Sequence, residues 1–177
     1  MRLAQTRPTG TERTFGDGEL IVSKTDPRGV ITYANDVFLR VSALAEEDAV
    51  GQPHNIIRHP DMPRAVFKLL WDTLKQEQEI FAYVLNLAAD GAHYWVFAHV
   101  TPSYDTAGRL VGYHSNRRVP SRTAVAAADE LYAVLRAAER RHDHTPDAVA
   151  AGVAALQAVL AERGSTYDEL IWEIAAR

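Results

Sequence analysis

The chain has 177 residues, 47% of them hydrophobic and 24% charged, which fits one medium domain or one domain with an appendage. A net charge of −4 with no long basic block excludes the electrostatic footprint of a nucleic-acid binder, and no run approaches the ~18 apolar residues needed to span a bilayer. Cysteine is absent, which excludes disulfides, thiolate metal sites and a cysteine nucleophile.

Residues 1–17 are polar and predict a mobile or capping N-terminal segment; without an apolar signal-peptide core, the expected location is the cytoplasm. Glu19–Lys24 reads as a strand and Val30–Tyr33 as a second. Between them Asp26-Pro27-Arg28-Gly29 is a turn, because Pro presets φ and Gly tolerates positive φ. Asn35 is placed to cap a short helix carrying Val37, Phe38 and Val41 and ending near Ser42, and a second short helix is predicted at Ala45–Val50.

The segment from Gly51 to Pro63 holds two histidines, an arginine and an aspartate between three prolines. Proline removes a backbone donor and restricts the residue before it, so this is a stiff loop with its polar side chains held in place, of the kind that walls a pocket. Pro63 suits the first turn of a following amphipathic helix, in which Val66, Leu69, Leu70, Trp71 and Leu74 form an apolar stripe reaching about Gln76. Three strands come next, Ile80–Ala88, His93–Ser103 and Arg109–Arg117, joined by turns at Asp90-Gly91 and Asp105–Gly108. In the middle one, Tyr94, Val96, Ala98 and Val100 share one face, and Trp95, Phe97 and His99 share the other.

Composition shifts after Pro120 to Ala, Leu, Glu and Arg. One helix is expected over Thr123–His142 and a second is opened by Thr145 as cap with Pro146 in its first turn and closed by Gly164. A third short helix is capped by Ser165. The expected organisation is an N-terminal segment at 1–17, a domain at 18–120 and a helical extension at 121–177.

The order strand–strand–helices–strand–strand–strand, with the stretches NDVF…VS, GQPHNIIRHPDMPRAVFKLLWDTLK, DGAHYWV and GRLVGYHSNRR, resembles the PAS sensor domain of bacterial aerotaxis receptors over roughly residues 18–119. The resemblance implies an α+β fold: a five-stranded antiparallel sheet with short helices on one face, followed here by the helical extension. It also implies non-covalent FAD, a role in sensing redox or oxygen state, and a signalling partner of the chemoreceptor or kinase type; self-association as a homodimer is the other expected contact. Carried over by position, Asn35, His54, Arg58, His59 and Asp61 fall where that family has residues important for FAD binding or signalling, and Asn86 falls where flavin-binding PAS domains place an amide near the ring. Trp71, Ile80 and Phe81 complete the candidate cofactor set; Ile80 stands where that family carries a tryptophan. Lacking cysteine, the chain cannot form the cysteine–flavin adduct of blue-light sensors.

A flavin would need an apolar slot, polar groups at its pyrimidine edge and cations for its phosphates. Ile57, Leu69, Leu70, Phe81, Val84 and Leu85 are candidates for the slot, Asn86 offers both donor and acceptor, and Arg58 can pair with phosphate or, alternatively, with Asp61. Seven histidines leave haem open as a less favoured cofactor, but they are scattered and show no metal-ligand spacing. A small apolar metabolite and a ligand-free interaction module are the remaining readings. With no Gly-x-Ser-x-Gly elbow, P-loop or zincin motif, the chain is not expected to be an enzyme.

Overall fold

The computed structural model describes residues 6–177; the first five residues of the predicted N-terminal segment lie outside it. Five strands, β1 (Ile21–Thr25), β2 (Ile31–Ala34), β3 (Ile80–Leu87), β4 (His93–Tyr104) and β5 (Leu110–Arg118), form one antiparallel sheet in the order β2-β1-β5-β4-β3. Between β2 and β3 lie α1 (Asp36–Ser42), α2 (Glu46–Ala49), a single 3₁₀ turn at His54–Ile57, and α3 (Arg64–Lys75). After the sheet come α4 (Arg122–Glu139), α5 (Thr145–Arg163) and α6 (Tyr167–Ala175). The expected α+β architecture is therefore present, with the helical segment behind it.

Period-two alternation divides the sheet into two faces. Ser23, Ser115, Val100 and Ile80 lie in register across β1, β5, β4 and β3 on the face beneath α3. Phe81, Tyr83, Phe97 and His99 point to the other face, where Trp172 of α6 packs on Phe81 and Phe97.

Both sheet edges are covered. The outer edge of β2 bonds to the segment after α2, through Ile31 N–H to the Gln52 carbonyl and Gly51 N–H to the Ile31 carbonyl. Along the edge of β3, the Phe81 and Tyr83 carbonyls accept from the Tyr167 and Tyr132 hydroxyls at 3.1 and 2.5 Å, Leu85 N–H faces Met62 Sδ at 3.4 Å, and Asn86 bridges Arg58. Covered edges leave no free ladder for another chain to extend.

Three helix starts differ from expectation. Pro63 precedes α3 as its cap residue instead of sitting in its first turn, His144 takes the cap position of α5 with Thr145 as the first helical residue, and Thr166 caps α6 in a capping box with Glu169. Thr166 outcompetes Ser165 because only from Thr166 does the glutamate three residues on reach back to the cap. Asn35 caps α1 as expected, its Oδ1 accepting from Phe38 N–H at 3.0 Å.

Candidate functional site

A cavity of about 300 Å³ lies between the sheet and α3. Its apolar wall comes from Phe67, Leu70, Trp71 and Leu74 of α3, Ile57 before it, and Val84, Ala98 and Val100 of the sheet. Gly29 sets the depth of Trp71: with φ at +84° it occupies the turn conformation glycine favours, and a Cβ there would stand 2.9 Å from the indole ring. Trp71 then meets Tyr113 edge-on, ring centroids 5.6 Å apart.

The polar floor is built from β1, β3 and β5. Ser23, Thr25, Ser115, Arg117 and Asn86 all line the cavity, because cavity-facing positions of β1 and β5 pair directly. His54 joins them from the loop: its backbone N–H is fixed to the Gly29 carbonyl at 2.9 Å, which aims the ring at β1. Arg117 Nη2 lies 2.7 Å from both Ser23 Oγ and His54 Nε2, and Ser23 Oγ lies 3.0 Å from that same nitrogen. A guanidinium can only donate, so His54 Nε2 is the acceptor and the imidazole is neutral with its proton on Nδ1. Burial, with the Arg117 charge beside it, pushes the His54 pKa down to about 3, and burial holds Arg117 down to about 10.

Arg117 is 4% exposed, lies over the Phe38 ring, and forms no ion pair with a carboxylate among the described residues. Its Nη1, Thr25 Oγ1, Ser115 Oγ and Arg58 Nε are buried atoms without a hydrogen-bond partner, and all four belong to residues lining the cavity. Buried polar groups left unpaired cost free energy, so their convergence on one cavity marks a ligand site.

Residues 31–117 match the family model described as PAS fold. Over 123 residues, 70% of this chain, the sequence is 40% identical to the aerotaxis receptor of Escherichia coli K12. The chain carries a PAS domain. It is also 32% identical over 97 residues, 55% of its length, to the nitrogen fixation regulatory protein of Klebsiella pneumoniae. The chain spans 24% and 20% of those two proteins. Among solved structures it resembles the blue-light photoreceptor Aureochrome1 LOV in its light state (TM-score 0.55, 21% identity, covering 64% of this chain and 90% of that one). A light-oxygen-voltage domain studied with a flavin analogue aligns at TM-score 0.53 and 20% identity, covering 70% of this chain and 87% of that one. At that identity these two likenesses speak for the fold alone.

Within the PAS domain, the cavity gathers four of the nine candidate residues: His54, Arg58, Trp71 and Asn86. Arg58 presents its guanidinium over the Phe67 ring at 4.8 Å and donates to the Met62 carbonyl at 3.2 Å. Asn86 is 4% exposed, beside the backbone bridge to Arg58.

The other five lie outside the lining. Asn35 spends its amide on structure, accepting from Phe38 and Val22 N–H and donating to the Leu20 carbonyl. His59 is buried beside His93, and its Nδ1 accepts from Asp61 N–H at 3.1 Å. Asp61 turns outward to Arg140, the residue that ends α4, at 2.9 Å, so the alternative Arg58–Asp61 pair does not form. Ile80 faces the correct side of β3 but packs at its end with Leu74 and Tyr113. Phe81 has the opposite parity and stacks on His99 on the far face of the sheet. Leu69 and Leu85, expected in the slot, also stay out of the lining, whereas Ile57, Leu70 and Val84 join it.

Sequence reasoning passed over Ser23, Thr25, Tyr113, Ser115 and Arg117. The signal was available in the alternation of β5, where Tyr113, Ser115 and Arg117 share one parity, but nothing in one sequence marks a strand arginine as buried.

Proposed function

We propose that this PAS domain is a redox sensor that binds FAD non-covalently in the cavity and passes the cofactor's state to a signalling partner. The observation carrying the proposal is the convergence of four unpaired buried polar atoms on a cavity that is otherwise apolar. The residues fit a flavin ring. Arg117 Nη1, Ser115, Thr25 and Arg58 Nε supply donors for its carbonyl and nitrogen acceptors; Asn86 supplies a donor and an acceptor; Ile57, Leu70, Trp71 and Val84 supply the slot. The aerotaxis-receptor relative supports the same reading.

When bound, the flavin supplies reversible electron uptake. The protein's part is electrostatic: Arg117, clamped by Ser23 and neutral His54, favours negative charge in the cavity, which α3 covers on one side. The backbone bridge from Arg58 to Asn86 ties the proline-bounded loop to β3, so loop and sheet edge move together. A bound group shifts such an equilibrium only by its differential affinity for the two states. In this reading residues 18–120 are the sensor, 121–177 the reader, and the protein is a cytoplasmic signalling module, not an enzyme, working with a chemoreceptor- or kinase-type partner or as a homodimer. Haem is disfavoured because His54 Nε2 is already engaged by Arg117 and Ser23.

Absorbance tests the proposal. Purified protein is expected to show flavin bands at roughly 375 and 450 nm that bleach with dithionite, and to release FAD on denaturation. A colourless protein that takes up no added FAD overturns it; an apolar metabolite in the denatured extract would put a small-metabolite sensor in its place.

A further inference from the structure

Helix α3 is built without a cap of its own. Pro63 occupies its cap position and offers no side-chain acceptor, which leaves the first N–H groups of the helix in need of partners. They find them far along the chain: Arg64 N–H donates to Glu139 Oε2 at 3.0 Å and Ala65 N–H to Glu139 Oε1 at 2.9 Å. The carboxylate is buried at the last turn of α4, where the positive end of the α3 dipole favours it. Gly152 of α5 closes the joint from behind, since a Cβ there would stand 2.5 Å from Glu139 Oε1 and 2.9 Å from the Ala65 Cβ. Beside it, Arg140 and Arg136 hold Asp61 in the loop leading into α3.

The same short helix is the lid of the cavity. Phe67, Leu70, Trp71 and Leu74, on the turns that follow the Glu139 seat, line it directly. Arg58 connects the two from the loop side: it lines the cavity, and its guanidinium, held below the usual arginine range by burial and then by Arg64, is favoured in its charged form by Glu139. One rigid element thus has the ligand space on one side and the helical extension on its N-terminus and back.

We propose that Glu139 is a positioning residue for the ligand cavity, setting the lid helix from the extension and so coupling ligand binding to the state of residues 121–177. The proposal rests on the flavin reading for the identity of the ligand, but not for the coupling itself. Coupling of this kind is reciprocal: whatever the extension contributes to ligand affinity, the ligand returns as order in the extension.

The test uses the full chain with Glu139→Gln, which keeps the volume but can accept through one oxygen only, and Gly152→Ala, which wedges the joint open from the other side. Arg122→Ala is the control, because it breaks the exposed Arg122–Glu12 contact at the opposite end of α4. Two readouts are taken: amide hydrogen exchange across the chain, and FAD affinity by flavin-fluorescence titration. Both joint variants are expected to speed exchange in α3 and in α4–α6 while leaving β4 and β5 protected, and to weaken FAD binding at least about fivefold. In the unmutated chain FAD is expected to slow exchange in α4–α6, an effect that Glu139→Gln abolishes and Arg122→Ala retains. Uniformly faster exchange along the whole chain would reduce Glu139 to a stabilising cap and overturn the proposal, as would unchanged α3 exchange or unchanged FAD affinity in both joint variants. If the unmutated chain takes up no FAD, the flavin reading falls, and the coupling stands or falls on the exchange of α3 alone.

Discussion

Arg117 is a buried cation whose partners are neutral, and that decides how the site responds to change. Replacing a buried charge that has no counter-ion by an apolar chain of similar length is often neutral or stabilising. Arg117→Met is therefore expected to leave the melting temperature of the ligand-free protein unchanged or raised, since Ser23 and His54 remain 3.0 Å apart and satisfy each other. FAD affinity, measured on the same samples, should fall about tenfold or more with the loss of one charge-assisted contact. His54 gives a second expectation. Its pKa is depressed from the ordinary 6.5 to about 3, so between those values the unfolded chain holds a proton that the folded chain excludes, and stability falls as pH drops through the interval. From pH 7 to pH 5 the loss attributable to this ring is about 2 kcal/mol. Urea denaturation at the two pH values should show that difference, and His54→Gln, which still offers Arg117 an acceptor, should remove it. His54, Arg58 and Asn86 were legible through the resemblance to aerotaxis-receptor and flavin-binding PAS domains, the first two standing also in a proline-bounded loop, and Trp71 through the apolar stripe of α3. Arg117 was not: next to last in a strand that ends in polar residues, it reads as a solvent-facing charge until its pairing opposite Ile21 reveals which face it joins.

Elements were legible wherever local chemistry fixed them and displaced wherever a distant group did. Asn35 and Gly164 marked helix ends because a side-chain acceptor and a left-handed terminus act within one turn. The start of α3 shifted because its true cap, Glu139, lies on another helix and no local reading can supply it. Ile80 and Phe81 divide similarly: period two assigns them to opposite faces, but only the lengths of α3 and β3 decide that Ile80 lies past the cavity. At this scale Gly112 is the sharpest test. A Cβ there would stand 1.8 Å from the Thr25 carbonyl oxygen, where β5 runs against β1. Gly112→Ala must separate the strands that carry Ser23, Ser115 and Arg117, and is expected to destabilise the protein by roughly 3 kcal/mol, read from chemical denaturation. A loss below about 0.5 kcal/mol would mean that the close approach relaxes without cost.

At the scale of the whole molecule, the helical extension closes the sheet. β3 is an edge strand that is largely apolar, a template for pairing with another chain unless something covers it. Tyr132 and Tyr167 cover it with hydroxyls bonded to the Tyr83 and Phe81 carbonyls, and burial raises the pKa of both phenols, so each remains a donor at physiological pH. Trp172 stays 51% exposed on the adjoining face while packing on Phe81 and Phe97, so the cover ends in a half-buried aromatic instead of a sealed core. Removing both hydroxyls keeps the ring packing but leaves two backbone carbonyls unpaired, at a cost of about 1–3 kcal/mol each. Tyr132→Phe with Tyr167→Phe should therefore still fold, with the extension held less tightly. The exposed edge then predicts concentration-dependent association, visible as a rise in mass by light scattering over a dilution series, with the unmutated chain as reference. An invariant mass in a folded double variant would mean that Met62 and the Arg58–Asn86 bridge suffice to guard the edge, and that the extension serves the cavity through α3 alone.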